Sequence, residues 1–334
     1  MGTALELLRP PAHRGPLIAS GAVLVTVAIA LEELRLADKL ATGWHLAILA
    51  LAAAAMLALG LQARTEGGAP PAFQSVLLVC GLLLAPAALL TLSDLLGAEF
   101  SGNFPHGALV WTSLIWAGLA LWPAVIKGSS ICALIAAFAI AVAALMFVKW
   151  AFDADSSTTY RWLLLWLALT CVVLSLLLRG PAPRHSEQLV NAAGLAILAI
   201  ALSGFLGGLF GAFDGPSGGP TIPNGWELAV LVAGCGLVAY GAVDRAPGPA
   251  YLGVANLLAF IVSAGTGQVE DTLLFWPLLL LLLGLGTMAV ALRPLSPLPP
   301  EPAAYPAGTV PFASRADDTT ETVLRIRDDS PPSR

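Results

Sequence analysis

Apolar residues in this chain run in long blocks. Ten stretches, at 16–34, 44–63, 73–93, 107–126, 130–149, 160–178, 187–211, 226–243, 249–266 and 272–292, carry almost no charge. A helix rises about 1.5 Å per residue, so roughly 20 residues cross a hydrocarbon layer ~30 Å thick. The blocks have about that length. In lipid every backbone group must be satisfied inside the protein, and a helix does so along its own length. The expected fold is therefore all-α, a polytopic membrane protein with about ten transmembrane helices. Strong breakers separate the blocks, such as Gly180-Pro181-Ala182-Pro183 after the sixth and Ala246-Pro247-Gly248-Pro249 before the ninth. Pro86 lies inside the third block and is the best candidate for a kink, because its ring removes a backbone donor.

Charge sets the expected orientation. With the N-terminus inside and strict alternation, the inner side collects Arg9, Arg14, Arg64, Lys127, Arg179, Arg184, Arg245, Arg293, Arg315, Arg325, Arg327 and Arg334. The outer side collects only Arg35, Lys39, Lys149 and Arg161. Twelve against four agrees with the excess of Lys and Arg on cytoplasmic loops, so both termini are expected in the cytoplasm. Trp44, Trp111, Trp150, Trp162, Trp226 and Trp276 fall near the expected outer ends and Trp122 near an inner one, as a headgroup-level belt would. The first block has a rival reading as a signal peptide, with Ala28-Ile29-Ala30 as a small-residue cleavage site. Glu32, Glu33 and Arg35 favour an uncleaved helix ending there.

Composition agrees. Charged residues are 11% and hydrophobic residues 57% of the chain, against about 25% and 45–50% in soluble domains. Thirteen Arg against three Lys, with much Ala, Gly and Pro, suggest a GC-rich bacterial genome and hence a bacterial cytoplasmic membrane. Cys80, Cys132, Cys171 and Cys235 lie in four different blocks without CxxC spacing, so they read as small packing residues. Residues 1–15 form a cytoplasmic N-terminus and 16–293 the membrane domain, which divides into candidate halves 16–149 and 160–293. Five helices on each side is the arithmetic of inverted-repeat transporters. Residues 294–334 open with a Pro-rich run and then lose apolar periodicity, which predicts a disordered cytoplasmic tail. Thr319, Thr320 and Thr322 among Asp317, Asp318 and Glu321 are candidate phosphoacceptors, set against a merely solubilising tail.

Candidate chemistry is sparse. No Asp, Glu, Lys, Arg or His lies near a block's centre, which argues against proton coupling through a buried acid. The deepest polar side chains are Thr26, Thr112, Thr170, Ser175, Asn191, Ser203, Asn256, Ser263 and Thr287. Asn191 and Asn256 form the candidate intramembrane polar site; the plainer role for Asn256 is a hydrogen bond between helices. His13 and His185 fall near the inner surface and His45 and His106 near the outer one. All four read as surface positions, ahead of a haem pair from His45 and His106. Asp153, Tyr160 and Arg161 make the most polar outer cluster, a shallow patch or simply solvated loop. Gly204, Gly207, Gly208 and Gly211 give two GxxxG pairs for close packing within the bundle or dimerisation, and Gly234, Gly236 and Gly241 suit close packing of the eighth block. With no HExxH or P-loop, the chain is not expected to be an enzyme, to hold a cofactor or metal, or to bind nucleic acid.

Two resemblances add to this. Ten short helices with both ends inside resemble the drug/metabolite transporter superfamily, in topology only. The runs Trp226-Glu227-Leu228, Val238 to Arg245, Gly248 to Gly253, Asn256 to Phe260 and Trp276 to Leu280 resemble uncharacterised multi-pass membrane proteins of GC-rich bacteria. That likeness implies an address and an architecture, and no catalytic residue. Three functions follow as expectations. The first is a membrane scaffold or sensor whose tail recruits a cytoplasmic protein. The second is a carrier of a small neutral or cationic solute between the halves. An intramembrane enzyme ranks last.

Overall fold

The computed structural model describes residues 14–36, 41–63, 71–98, 105–154, 156–210, 223–266 and Gly284. Among them lie nine helices and no strand: α1 Gly15–Leu36, α2 Thr42–Gln62, α3 Ala72–Leu95, α4 His106–Lys127, α5 Ser130–Phe152, α6 Ser157–Leu178, α7 Pro183–Phe210, α8 Asn224–Asp244 and α9 Pro247–Thr266. Eight of them, α1 to α8, are long and apolar enough to cross a membrane, and α9 has a shorter apolar stretch, Pro247–Ser263. The first nine expected blocks thus coincide with helices to within a few residues. The tenth, at 272–292, lies outside the described residues apart from Gly284, as does the 294–334 tail.

Proline and glycine set the boundaries. Pro183 and Pro247 are the first helical residues of α7 and α9, where a missing N–H costs nothing and φ is already helical. This is why α7 starts four residues before its apolar block. The turn between α4 and α5 is only Gly128 and Ser129, and Gly128 takes φ +64, a left-handed conformation that suits glycine. The last carbonyls of α2, orphaned by the helix end, find side chains on neighbours. Gln74 Nε2 donates to Gly60 O at 2.8 Å and Lys127 Nζ to Ala63 O at 3.3 Å.

Packing follows a simple order. The odd helices form a row, α1 against α3, α3 against α5, α5 against α7 and α7 against α9. Each even helix lies chiefly against the odd helix that follows it, giving hairpins α2/α3, α4/α5, α6/α7 and α8/α9. These helices all belong to the unit Met1–Val269. Contacts are built from small residues. Leu78 and Leu82 of α3 meet Ala120 and Ala124 of α4 and Cys132 and Ala136 of α5, all buried. Leu49 and Ala53 of α2 meet Leu84 and Ala88 of α3. With no hydrophobic force separating helix from lipid, close van der Waals approach holds such a bundle. The other faces stay apolar and open: Leu24, Leu51, Val125, Leu177 and Tyr251 are each more than two-thirds exposed, as hydrocarbon-facing residues would be.

Glycines tighten one hairpin in particular. A Cβ on Gly253 of α9 would lie 2.7 Å from Val238 N and 2.8 Å from Gly234 O, so α8 and α9 touch backbone to backbone. Gly241 meets Ala250 and Ala246 in the same way. Gly236, expected to serve this purpose too, faces open space. Gly204, Gly207 and Gly208 lie in the last turns of α7, where side-chain surroundings are not described, and Gly211 lies outside the described residues.

Pro86 is accommodated inside a continuous α3. Its missing N–H frees the carbonyl four residues earlier, Leu82 O. Trp116 of α4 donates its indole Nε1–H to that oxygen at 2.8 Å, while its ring meets Phe138 of α5 edge to face. A neighbouring helix thus completes the bond that the proline removes.

Candidate functional site

The polar side chains deepest in the bundle are nearly all spent on local bonds. Thr26, Thr112, Thr170, Ser203 and Ser263 each donate to a carbonyl three or four residues back on their own helix. Ser175 of α6 and Ser186 of α7 pair at 2.9 Å, and Ser186 also donates to Ser175 O. Thr287 lies outside the described residues.

Asn191 and Asn256 come to one interface, between α7 and α9. Asn256 is fully buried, and its Nδ2 donates to Leu252 O at 2.8 Å on its own helix and to Gly194 O of α7 at 3.2 Å. Asn191, one turn before Gly194, donates to Gln188 Oε1 at 3.1 Å and packs on Gly248 of α9, where an added Cβ would meet its amide at 2.9 Å. The two candidate residues therefore share a packed seam. The Oδ1 atom of each is buried without a hydrogen-bond partner. Neither amide lines the apolar grooves or the polar hollow described below.

Several expected surface groups turn out to be buried or dispersed. His45, expected at the surface, is 7% exposed, and its Nδ1 lies 2.6 Å from Glu33 Oε2 across the α1–α2 connection. Among the described residues, Asp153, Tyr160 and Arg161, expected as one outer cluster, bond to different partners. Asp153 pairs with Lys149 at 3.2 Å. The Tyr160 hydroxyl donates to Ala154 O at 2.7 Å. Arg161 is 6% exposed and turns inward, donating from Nε to Ser203 Oγ of α7 at 3.0 Å. The reason is position: Arg161 lies one turn into α6, on the face that packs against α7, with Leu164 and Ala168 buried along the same side. His185, by contrast, is half-buried, with Nε2 3.1 Å from Ala124 O.

Two kinds of cavity remain. Along the helices run apolar grooves, one of about 660 Å³ between α1, α3 and α5, and one of about 630 Å³ between α6, α7 and α8. Where α6 ends, α7 begins and α8 ends, a polar hollow of about 350 Å³ is lined by Arg179, Arg184, Ser186, Glu187, Tyr240 and Asp244. There Arg179 Nη2 reaches both carboxylate oxygens of Asp244, at 2.7 and 2.8 Å, tying α6 to α8. Sequence reasoning missed this pair, since nothing local joins positions 65 residues apart. The His45–Glu33 pair left a trace. The two residues lie six positions either side of Lys39, and an antiparallel hairpin sets such positions opposite each other.

Trp44, Trp150 and Trp162 sit exposed at helix ends, and Trp162 meets Trp226 edge to face with centroids 5.1 Å apart. Trp276, Thr319, Thr320 and Thr322 lie outside the described residues. Comparison of the chain with family models, with curated proteins and with solved structures finds no match.

Proposed function

We propose that this chain is a multi-pass protein of the bacterial cytoplasmic membrane, with ten spans and both termini in the cytoplasm. It acts as a scaffold or sensor whose tail, 294–334, recruits a cytoplasmic protein. The observation that carries this reading is the use made of the buried polar groups. Of the two amides on which a solute path would depend, Asn256 bonds across the α7–α9 seam to Gly194 O, and Asn191 bonds to Gln188 on its own helix while packing on Gly248 of α9. The hydroxyls at similar depth are bonded within the protein. The twelve-to-four division of Lys and Arg supports the orientation. In-cell photocrosslinking from the tail tests the recruiting role. A discrete adduct with a cytoplasmic protein, lost when 294–334 is deleted, is expected. Tail probes that crosslink only to solvent and lipid would end the scaffold reading.

One observation favours the carrier of a small neutral or cationic solute instead. The buried Oδ1 atoms of Asn191 and Asn256 have no partner, and such acceptors suit a donor brought by a ligand. On that reading Asn256→Ala abolishes solute uptake in proteoliposomes. On the scaffold reading no solute gives uptake that depends on Asn256.

A further inference from the structure

The 660 Å³ groove between α1, α3 and α5 has a polarity gradient along its length. At one end lie Ser75, in the first turn of α3, Ser130, the first residue of α5, and Arg184, in the first turn of α7. Farther along, the walls are Val27, Val79 and Leu83. Leu83 is eight residues beyond Ser75 on one helix, or about 12 Å deeper. Thr26 also lines the groove, but its hydroxyl is turned back onto Ala22 O. The volume falls within the range of about 300–1,000 Å³ usual for ligand sites. The groove opens beside an exposed apolar surface of α1, where Val23, Leu24 and Val27 are 45%, 69% and 49% exposed. Arg184 is exposed, and among the described residues no carboxylate lies within 4.0 Å of it. A guanidinium beside hydroxyls at the end of an apolar channel matches a phosphate with an acyl chain attached.

We infer that this groove holds one anionic glycerophospholipid, with an acyl chain along Val27, Val79 and Leu83 and its phosphate on Arg184, Ser75 and Ser130. The occupant belongs to the bilayer because the channel beyond the charged end has apolar walls and opens sideways onto hydrocarbon-facing residues. The inference is independent of the scaffold reading, since a carrier would offer the same groove.

Native mass spectrometry of the full-length protein in micelles, titrated with phosphatidylglycerol and separately with phosphatidylcholine, tests it. One phosphatidylglycerol is expected to be retained roughly fivefold more tightly than phosphatidylcholine. Arg184→Gln, at an exposed position, removes that preference. Val27→Trp, also on an exposed face, fills the channel and weakens retention of both lipids. Glycerophosphate, the head without chains, does not displace the lipid, and deletion of 294–334 leaves retention unchanged. The inference is overturned if Arg184→Gln keeps the preference or Val27→Trp retains lipid as the wild type does. Displacement by glycerophosphate would make this a site for free phosphate, and stronger lipid retention on deleting 294–334 would make the acidic tail the occupant; either result also overturns it.

Discussion

The bond from Trp116 to Leu82 O exists because Pro86 cannot supply its own, and this dependence can be measured. Trp116→Phe keeps an aromatic ring against Phe138 but removes the indole donor along with part of the ring volume. Leu82 is fully buried, so its carbonyl then loses the indole donor out of reach of water. Stranding a buried acceptor costs about 1–3 kcal/mol, or roughly a 5- to 150-fold change in the unfolding constant. Pro86→Ala restores an N–H four residues after Leu82 and closes the bond within α3. In that background Trp116→Phe strands nothing, and its cost falls to the small change in ring packing. The two substitutions should therefore couple by about 1–2 kcal/mol. The assay is a double-mutant cycle on unfolding in mixed micelles of rising SDS fraction, read by near-UV circular dichroism. Costs that add to within about 0.5 kcal/mol would refute the reasoning, because the indole bond would then owe nothing to the proline.

Two further outcomes are expected. Gly253→Ala places a methyl 2.7 Å from Val238 N, 0.7 Å inside the 3.4 Å of ordinary contact, whereas Gly236→Ala meets nothing within 4 Å. The gain in helix propensity is common to both, so their difference isolates the clash, about 1–3 kcal/mol against Gly253→Ala; equal stabilities in the same SDS titration would contradict the backbone contact. The Arg179–Asp244 pair joins a half-exposed guanidinium to a partly buried carboxylate. A cycle of Arg179→Gln and Asp244→Asn should show coupling of only about 0.2–1 kcal/mol, shrinking in 1 M salt, and a larger or salt-resistant value would contradict that.

The helices were legible and their partners were not. Length and hydropathy place α2, α3 and α8 within two residues at either end, because crossing a bilayer fixes how many apolar residues a span needs. Partner choice leaves little trace, since a face against lipid is as apolar as a face against a helix. The row of odd helices therefore could not be read from periodicity. The same blindness affects Gly234 and Gly236, neighbours in a single motif, of which only Gly234 meets α9. Arg161 was read as a surface charge because it opens a block. Its burial depends on which face of α6 meets α7, and that is decided by packing along four helical turns. Asn256, an amide seven residues into an apolar block, donates across the seam to Gly194 O, while its Oδ1 stays buried without a partner. The Leu82–Trp116 bond lay half in view, since Pro86 announces a free carbonyl but does not say which helix supplies the donor.

The proposed scaffold role rests on a dry α7–α9 seam, in which Asn256 bonds across to Gly194 O and serves no solute path. Labelling tests it most directly. Cys80, Cys132, Cys171 and Cys235 are replaced by Ala, Asn256→Cys is introduced, and membranes are treated with a small water-soluble methanethiosulfonate from either side. The account predicts no labelling until SDS opens the bundle, with Leu96→Cys, exposed just past the end of α3, as the reactive control. Labelling of Asn256→Cys in intact membranes would place water at the α7–α9 seam and contradict the account.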